Sequence, residues 1–438
     1  MEAILAVGDL VELETYRMRC RVESFLGGGG QGEVYEVLIL GSGPERRHAL
    51  KWYFPHMATP EQRAIVEDLV NREAPSPRFL WPQDLATTNG RSGFGYLMPL
   101  RGSQYRGLYE IMTGKVSPSF RTIVTSAMEL AHGFWQLHAN GLCYRDISFG
   151  NVFFDPQRGN VLICDNDNVG IDGRSTASVY GTPGFMAPEV MRGEAMPSAA
   201  TDLFSLSVLL FYLLMVHHPF EGRRELDEPV WDRQAAYRLY GERPVFIFDP
   251  DDRSNEPVPG YHDNALVFWP LYPQFVRELF VRAFTEGLRD PLNKRVRELE
   301  WLPAMVRLRD SIVYCGMCKA EVFWDAATRA TPTCWQCGKP VTPPPRLVVD
   351  RQTIMLNFDA CVSAHHVGVE KWGFDQLVAE VTQHPTNPHV WGLRNLSSTT
   401  WTATTATGGL LEVTPGRSVT LAPGTCVNFG TAQGVIEF

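Results

Sequence analysis

Polar and apolar residues alternate in three short runs near the start of the chain, Arg19–Leu26, Glu33–Leu40 and Arg46–Phe54. A period of two puts one side of each run in a core, so three strands are predicted, the first two joined across a cluster of glycines. The spacing then lengthens. Apolar positions recur every three or four residues through Thr59–Val70 and Phe120–Asn140, which predicts amphipathic helices, and Leu203–Val216 is apolar almost throughout, which predicts a buried one. Arg78–Pro82 reads as a further short strand, and Val161–Asp165 as an apolar strand ending on an acid. The pattern therefore predicts a β-rich lobe over about 1–100 and a helical lobe over about 101–310. Beyond them lie a cysteine-bearing segment (311–340), a proline-rich linker (341–346) and a tail (347–438) rich in threonine, valine and glycine. The short alternating runs and Pro-Gly turns of that tail predict a small β-sandwich.

Composition fits this division. A chain of 438 residues is long enough for two or three cores, and 44% hydrophobic with 20% charged residues is the balance of a globular protein. A net charge of -9 argues against nucleic acid as a partner. No apolar run reaches the roughly 18 residues that span a bilayer. The N-terminus turns acidic where a secretory signal would be basic, so a cytoplasmic location without a membrane partner is expected. Five of the nine cysteines are scattered and read as small buried hydrophobes. The other four, Cys315, Cys318, Cys334 and Cys337, form C-x2-C-x15-C-x2-C. Four thiolates on two tight knuckles complete a tetrahedral shell, which predicts a zinc ribbon with structural Zn2+, a redox or disulfide role being the alternative.

Candidate chemistry is concentrated in the first two lobes. Gly27, Gly29 and Gly32, with Val34 two residues on, lie between two predicted strands, where glycine lets backbone N–H groups approach phosphate oxygens. A strand follows instead of a helix, which excludes a Walker loop and a dinucleotide fingerprint. Lys51 sits in a strand otherwise given over to burial and needs a phosphate or a carboxylate beside it. Among Glu61, Glu67 and Glu73 of the next helix, Glu67 lies nearest the middle and is the candidate partner. Asp146 and Asn151 are five residues apart between a long helix and a strand, and Asp165 ends the apolar strand fourteen residues later.

In order and spacing these pieces resemble the eukaryotic-like (Hanks-type) protein kinases. The likeness covers about Glu23 to Val306: the glycine loop, Ala-x-Lys ending at Lys51, Tyr-Arg-Asp ending at Asp146 with Asn151 after it, "GTPGFMAPE" and "TDLFSLSVLL". The resemblance implies a bilobal α+β kinase fold and an ATP- and Mg2+-dependent (or Mn2+-dependent) transfer to serine or threonine hydroxyls of proteins, autophosphorylation included. It implies Asp146 as the catalytic base and Lys51, paired with Glu67, as the ligand of the α- and β-phosphates. Asn151 and Asp165 would be the magnesium ligands. Gly27, Gly29, Gly32, Val34, Met98 and Leu100 would form the nucleotide cradle and hinge. Thr182 resembles the threonine that contacts the catalytic aspartate, Glu189 the glutamate that pairs with a late arginine, here Arg295, and Asp202 the buried aspartate that holds the catalytic loop. Arg145 would pair with a phosphate on Ser175, Thr176, Ser178 or Tyr180.

The departures from the pattern are specific. Gln31 replaces an aromatic at the loop tip, Tyr144 a histidine, and Ser148 the lysine that steadies the γ-phosphate. Asn166 and Asp167 stand where Phe and Gly would follow Asp165. These changes leave two other readings open, a nucleotide-binding pseudokinase scaffold and a small-molecule kinase. An EF-hand over the same acids fails, since its fifth and twelfth positions are Val169 and Thr176. The tail resembles the closing half of a forkhead-associated (FHA) sandwich. The loop, the run "FLWP" and the appended ribbon are similar to bacterial kinases of the tellurite-resistance-linked triad, which implies a metal-dependent protein phosphatase and a von Willebrand A-domain protein as partners.

Overall fold

The computed structural model describes residues 3–41, 44–173, 181–328 and 330–438. It divides into two compact units, Met1–Leu266 with Glu278–Leu302, and Val267–Arg277 with Pro303–Phe438. The first opens with β1 (Leu10–Leu13), β2 (Met18–Gly28), β3 (Gly32–Leu40) and β4 (Arg46–Tyr53), then helix α1 (Pro60–Val70), β5 (Asp84–Thr87) and β6 (Gly95–Pro99). The strands close into a barrel in the order β1, β2, β3, β4, β6, β5. Alternation along β4 sorts its side chains. Leu50 and Trp52 join Val22, Val37 and Leu97 inside the barrel, while Ala49 and Tyr53 face a second cluster with Val66, Leu80, Tyr96 and Met98. Lys51 shares the side of Ala49 and Tyr53, and it lies opposite Val34 on β3 and Tyr96 on β6.

Helix α1 starts where its sequence signals say it should. The Thr59 hydroxyl accepts from the Gln62 amide at 3.1 Å and Pro60 occupies the first turn. Its inward residues are Gln62, Val66 and Leu69. The strand expected over Arg78–Pro82 is corrected: Phe79 makes one isolated bridge to Ile163, and regular pairing begins only at β5, after Pro82, which has no N–H to give a ladder.

The helical part of this unit is built on Phe120–Ala139 and Ala199–Met215, both largely buried. The second begins with a capping box between Ser198 and Thr201 and carries Leu206, Val208, Leu209 and Leu210 into the core. Strands Val152–Phe154 and Val161–Ile163 form an antiparallel pair that ends on the acidic segment. No helix among the described residues is long and apolar enough to cross a membrane.

The second unit contains two antiparallel sheets of six and four strands. In the larger, Gln433–Glu437 lies between Arg346–Val349 and Cys426–Asn428. Leu347, Ile436, Trp401 and Val427 of that sheet share one core with Val362, Ala379, Leu393 and Val419 of the other. Ahead of the sheets, strands Ile312–Tyr314 and Glu321–Phe323 flank the first cysteine pair.

Candidate functional site

The loop between β2 and β3 roofs a cleft of about 500 Å3, within the size range of small-molecule sites. A Cβ added at Gly27, Gly29 or Gly30 would meet nothing within 4 Å, so the backbone there is open to a ligand. Gly32 answers to packing instead, since a Cβ there would lie 2.2 Å from the Trp52 carbonyl oxygen. Val34, Ala49, Leu80, Met98, Leu100 and Cys164 give the cleft apolar lining, and Lys51, Arg101, Asp146 and Asp165 its charged lining.

The structure brings Asp146, Asn151 and Thr182 together. Asn151 Nδ2 donates to the Asp146 carbonyl at 2.8 Å and to its Oδ2 at 3.2 Å, and Thr182 Oγ1 donates to Asp146 Oδ1 at 2.7 Å. Asp146 is therefore a carboxylate with a fixed orientation. The loop that carries it is anchored from below, where Asp202 accepts from the amides of Tyr144 at 2.5 Å and Arg145 at 3.0 Å. Asp202 in turn contacts His138 Nε2 at 3.1 Å, and His138 Nδ1 contacts Glu298. Burial alone would lower the imidazole, but the two carboxylates outweigh it and raise His138 to about 9. Arg295 donates to both Glu189 oxygens, at 2.6 and 2.8 Å. Arg145 is buried against Gly170, where a Cβ would lie 1.9 Å from its Nη2. Ser175, Thr176, Ser178 and Tyr180 lie outside the described residues.

Lys51 does not meet Glu67, and this corrects the expected pair. With Gln62, Val66 and Leu69 turned inward, Glu67 is rotated about 100° from its buried neighbour and is exposed. The lysine's partner is Asp167. Lys51 Nζ donates to both Asp167 oxygens at 2.9 Å, Tyr96 OH donates to Oδ1 at 2.9 Å, and Tyr53 OH donates to Oδ2 at 2.6 Å. Gln62 Nε2 donates to Tyr53 OH at 3.1 Å and extends the network into α1. On the cleft side Lys51 donates to Gln31 Oε1 at 2.7 Å and lies 3.6 Å from Asp165. Burial would raise the Asp167 carboxyl, but Lys51 and the tyrosine hydroxyls hold it below its ordinary value. Asp167, which the motif pattern places where a glycine would stand, is thus the carboxylate of the pair. The missed signal was Tyr53, two residues from Lys51 and so on the same strand face.

Asp165 is pushed the other way. Burial raises it, Lys51 offsets part of that rise, and the carboxylates of Asp167 and Asp146 add to it. Its backbone is left-handed, at φ 52° and ψ 43°. The amide of its neighbour Cys164 donates to the Asn151 carbonyl at 2.9 Å, so an acid and a side-chain amide, oxygen donors of the kind a hard divalent cation takes, sit on joined segments and fit magnesium. Asn166 is fully buried and donates from Nδ2 to the Ile163 carbonyl at 3.0 Å.

In the second unit Cys315, Cys318, Cys334 and Cys337 hold their sulfurs within 4.8 Å of one another, and the nearest pairs are 3.5 and 3.6 Å apart. A tetrahedron of zinc–sulfur bonds has edges of about 3.8 Å, so the set fits zinc. The two knuckles repeat one turn: Lys319 N donates to Cys315 O at 3.0 Å and Gly338 N to Cys334 O at 2.8 Å, with positive φ at Lys319 and Gly338. The amides of Cys318 and Met317 hold Cys315 below its ordinary value.

Comparison with known proteins gives one family and several relatives. The family described as Protein kinase domain matches residues 21–240, just over half of the chain. The chain is 31% identical over 178 residues to CBL-interacting protein kinase 4 of Oryza sativa subsp. japonica, covering 37% of this chain and 36% of that protein. It is 36% identical over 116 residues both to human rhodopsin kinase GRK1 and to mouse protein kinase C eta type. Each of those matches covers 25% of this chain, and 19% and 17% of the relative. The chain thus spans about a third or less of the length of these curated relatives.

Proposed function

Because the chain belongs to the protein kinase family, we propose that it is an ATP-dependent protein kinase that phosphorylates serine or threonine hydroxyls and phosphorylates itself. The observation that carries this reading is the Asp146 side chain, fixed by Asn151 and Thr182 on a cleft that Lys51 and Asp165 also line. A substrate hydroxyl at Asp146 gives up its proton to the carboxylate as its oxygen bonds to the γ-phosphorus. The bond from that phosphorus to the β–γ bridging oxygen breaks, and ADP leaves. Lys51 neutralises the α- and β-phosphates, and the open glycine backbone at 27–30 offers them N–H donors. Asp165 and Asn151 would hold magnesium, which supplies positive charge to the phosphates when bound. The contact from Thr182 to Asp146 supports hydroxyl specificity toward proteins.

Ser148, buried where the pattern has a lysine, favours the second reading, a nucleotide-binding pseudokinase scaffold. Mass spectrometry of the purified protein, before and after phosphatase and then with added magnesium and ATP, separates the two. Phosphate regained on serine or threonine supports the kinase, and none regained, with nucleotide still bound, supports the scaffold. The ribbon and the two-sheet domain are proposed as recognition modules, the latter FHA-like, and the kinase domain as cytoplasmic. The phosphatase and the von Willebrand A-domain protein rest on the resemblance, and co-purification from cells tests them.

A further inference from the structure

Behind Lys51, outside the residues that line the cleft, lies a carboxylate that the expected mechanism does not use. Asp167 is enclosed, with its side chain 0% exposed, and its two oxygens receive Lys51, Tyr53 and Tyr96. Lys51 also touches two groups that face the ligand space, Gln31 and Asp165. The two sides of the ammonium differ in kind. Gln31 sits on the glycine loop at the cleft, held on its other side by one hydrogen bond to Asn168 Oδ1 at 3.1 Å, whereas Asp167 is locked by hydroxyls from two strands of the barrel. Helix α1, the expected source of a carboxylate, contributes only Gln62, through Tyr53.

We propose that Asp167 is the positioning residue for Lys51, so that the lysine is aimed at the nucleotide by the segment following Asp165 and not by helix α1. This rests on the kinase reading. Holding Lys51 from the far side of the cleft ties it to the backbone that carries Asp165, two residues away, so the phosphate ligand and the proposed metal ligand move as one piece. Movement of α1 then leaves the lysine in place.

The test compares Asp167→Asn with Glu67→Gln in the full chain, measuring kcat, the KM for ATP, and calorimetric binding of Mg·ATP and of adenosine. Asp167→Asn is expected to lower kcat about 100-fold, the scale of losing one oriented charge contact. ATP binding weakens about tenfold while adenosine binding holds within about twofold, because only the phosphates meet Lys51. Glu67→Gln changes each quantity by less than about twofold. Tyr53→Phe, which keeps the ion pair and removes one hydroxyl, falls between them. An Asp167→Asn enzyme with wild-type or higher kcat overturns the proposal, as does a Glu67→Gln loss of equal size. Thermal melts of Lys51→Met, Asp167→Asn and the double variant supply a readout without turnover: the double variant should melt above Asp167→Asn, and independent effects would overturn the link. A wild-type chain that transfers no phosphate defeats the kinase reading, and the melts and the ATP-to-adenosine affinity ratio still decide whether Asp167 holds Lys51.

Discussion

The Lys51 cluster and the four-cysteine cluster both gather groups that resist being brought together, and they balance charge in different ways. Around Lys51 the chain supplies both signs: a buried ammonium, a buried carboxylate and two hydroxyls that satisfy its oxygens. Such a network closes on itself and stands before any ligand arrives. At the knuckles the chain supplies four sulfurs of one kind, two pairs of them 3.5 and 3.6 Å apart. Four sulfurs in that arrangement fit a cation from outside, and a bound metal would couple their folding to its loading. One site is organised by the chain's own groups, and the other has the form that a bound metal would complete.

The largest expected effect concerns the four cysteines. A strong chelator should unfold the region 312–341, since structural zinc carries on the order of 10 kcal/mol of folding free energy. Adenosine binding in the cleft should be unchanged, and thiol titration together with calorimetry reads both effects. Next in size, Lys51→Met leaves Asp167 buried without its cation and should cost about 3–5 kcal/mol, read in denaturant melts. A smaller effect follows from His138, which His138→Asn should abolish. Its folded value of about 9 lies above the ordinary 6.5, so its contribution to stability is whole below about pH 6.5 and is lost as pH rises through 9. A shift of this size amounts to about 3 kcal/mol between those limits, and melts of the two proteins across pH 6 to 10 check it. Smallest is Thr182→Ala, which frees one Asp146 oxygen and should lower kcat about tenfold with the KM for ATP unchanged.

What could be read from the sequence follows the same division. Period-two runs marked β2, β3 and β4, and motif spacing pointed to Lys51, Asp146 and Asp165, which the structure gathers in the lining of the cleft. Local spacing could also bring four cysteines together, because each knuckle is one tight turn. The Lys51 partner was out of reach for a different reason. Asp167 is 116 residues from Lys51 and Tyr96 is 71 from Asp167, so their meeting depends on strand pairing across the barrel and on the turn after Asp165. Glu67 looked right by its distance along the helix, yet one residue of rotation separates an inward side chain from an exposed one. In the tail the strands could be expected but their order could not, since the last strand, Gln433–Glu437, enters between two that precede it.

Phosphoryl transfer in the Asp146 cleft can be measured on the full chain. Incubating the full chain and its Asp146→Ala variant with γ-labelled ATP and magnesium tests it most directly. Label on serine or threonine in the wild type, reduced at least about 100-fold in the variant, is the predicted result. Equal incorporation by the two proteins would contradict it.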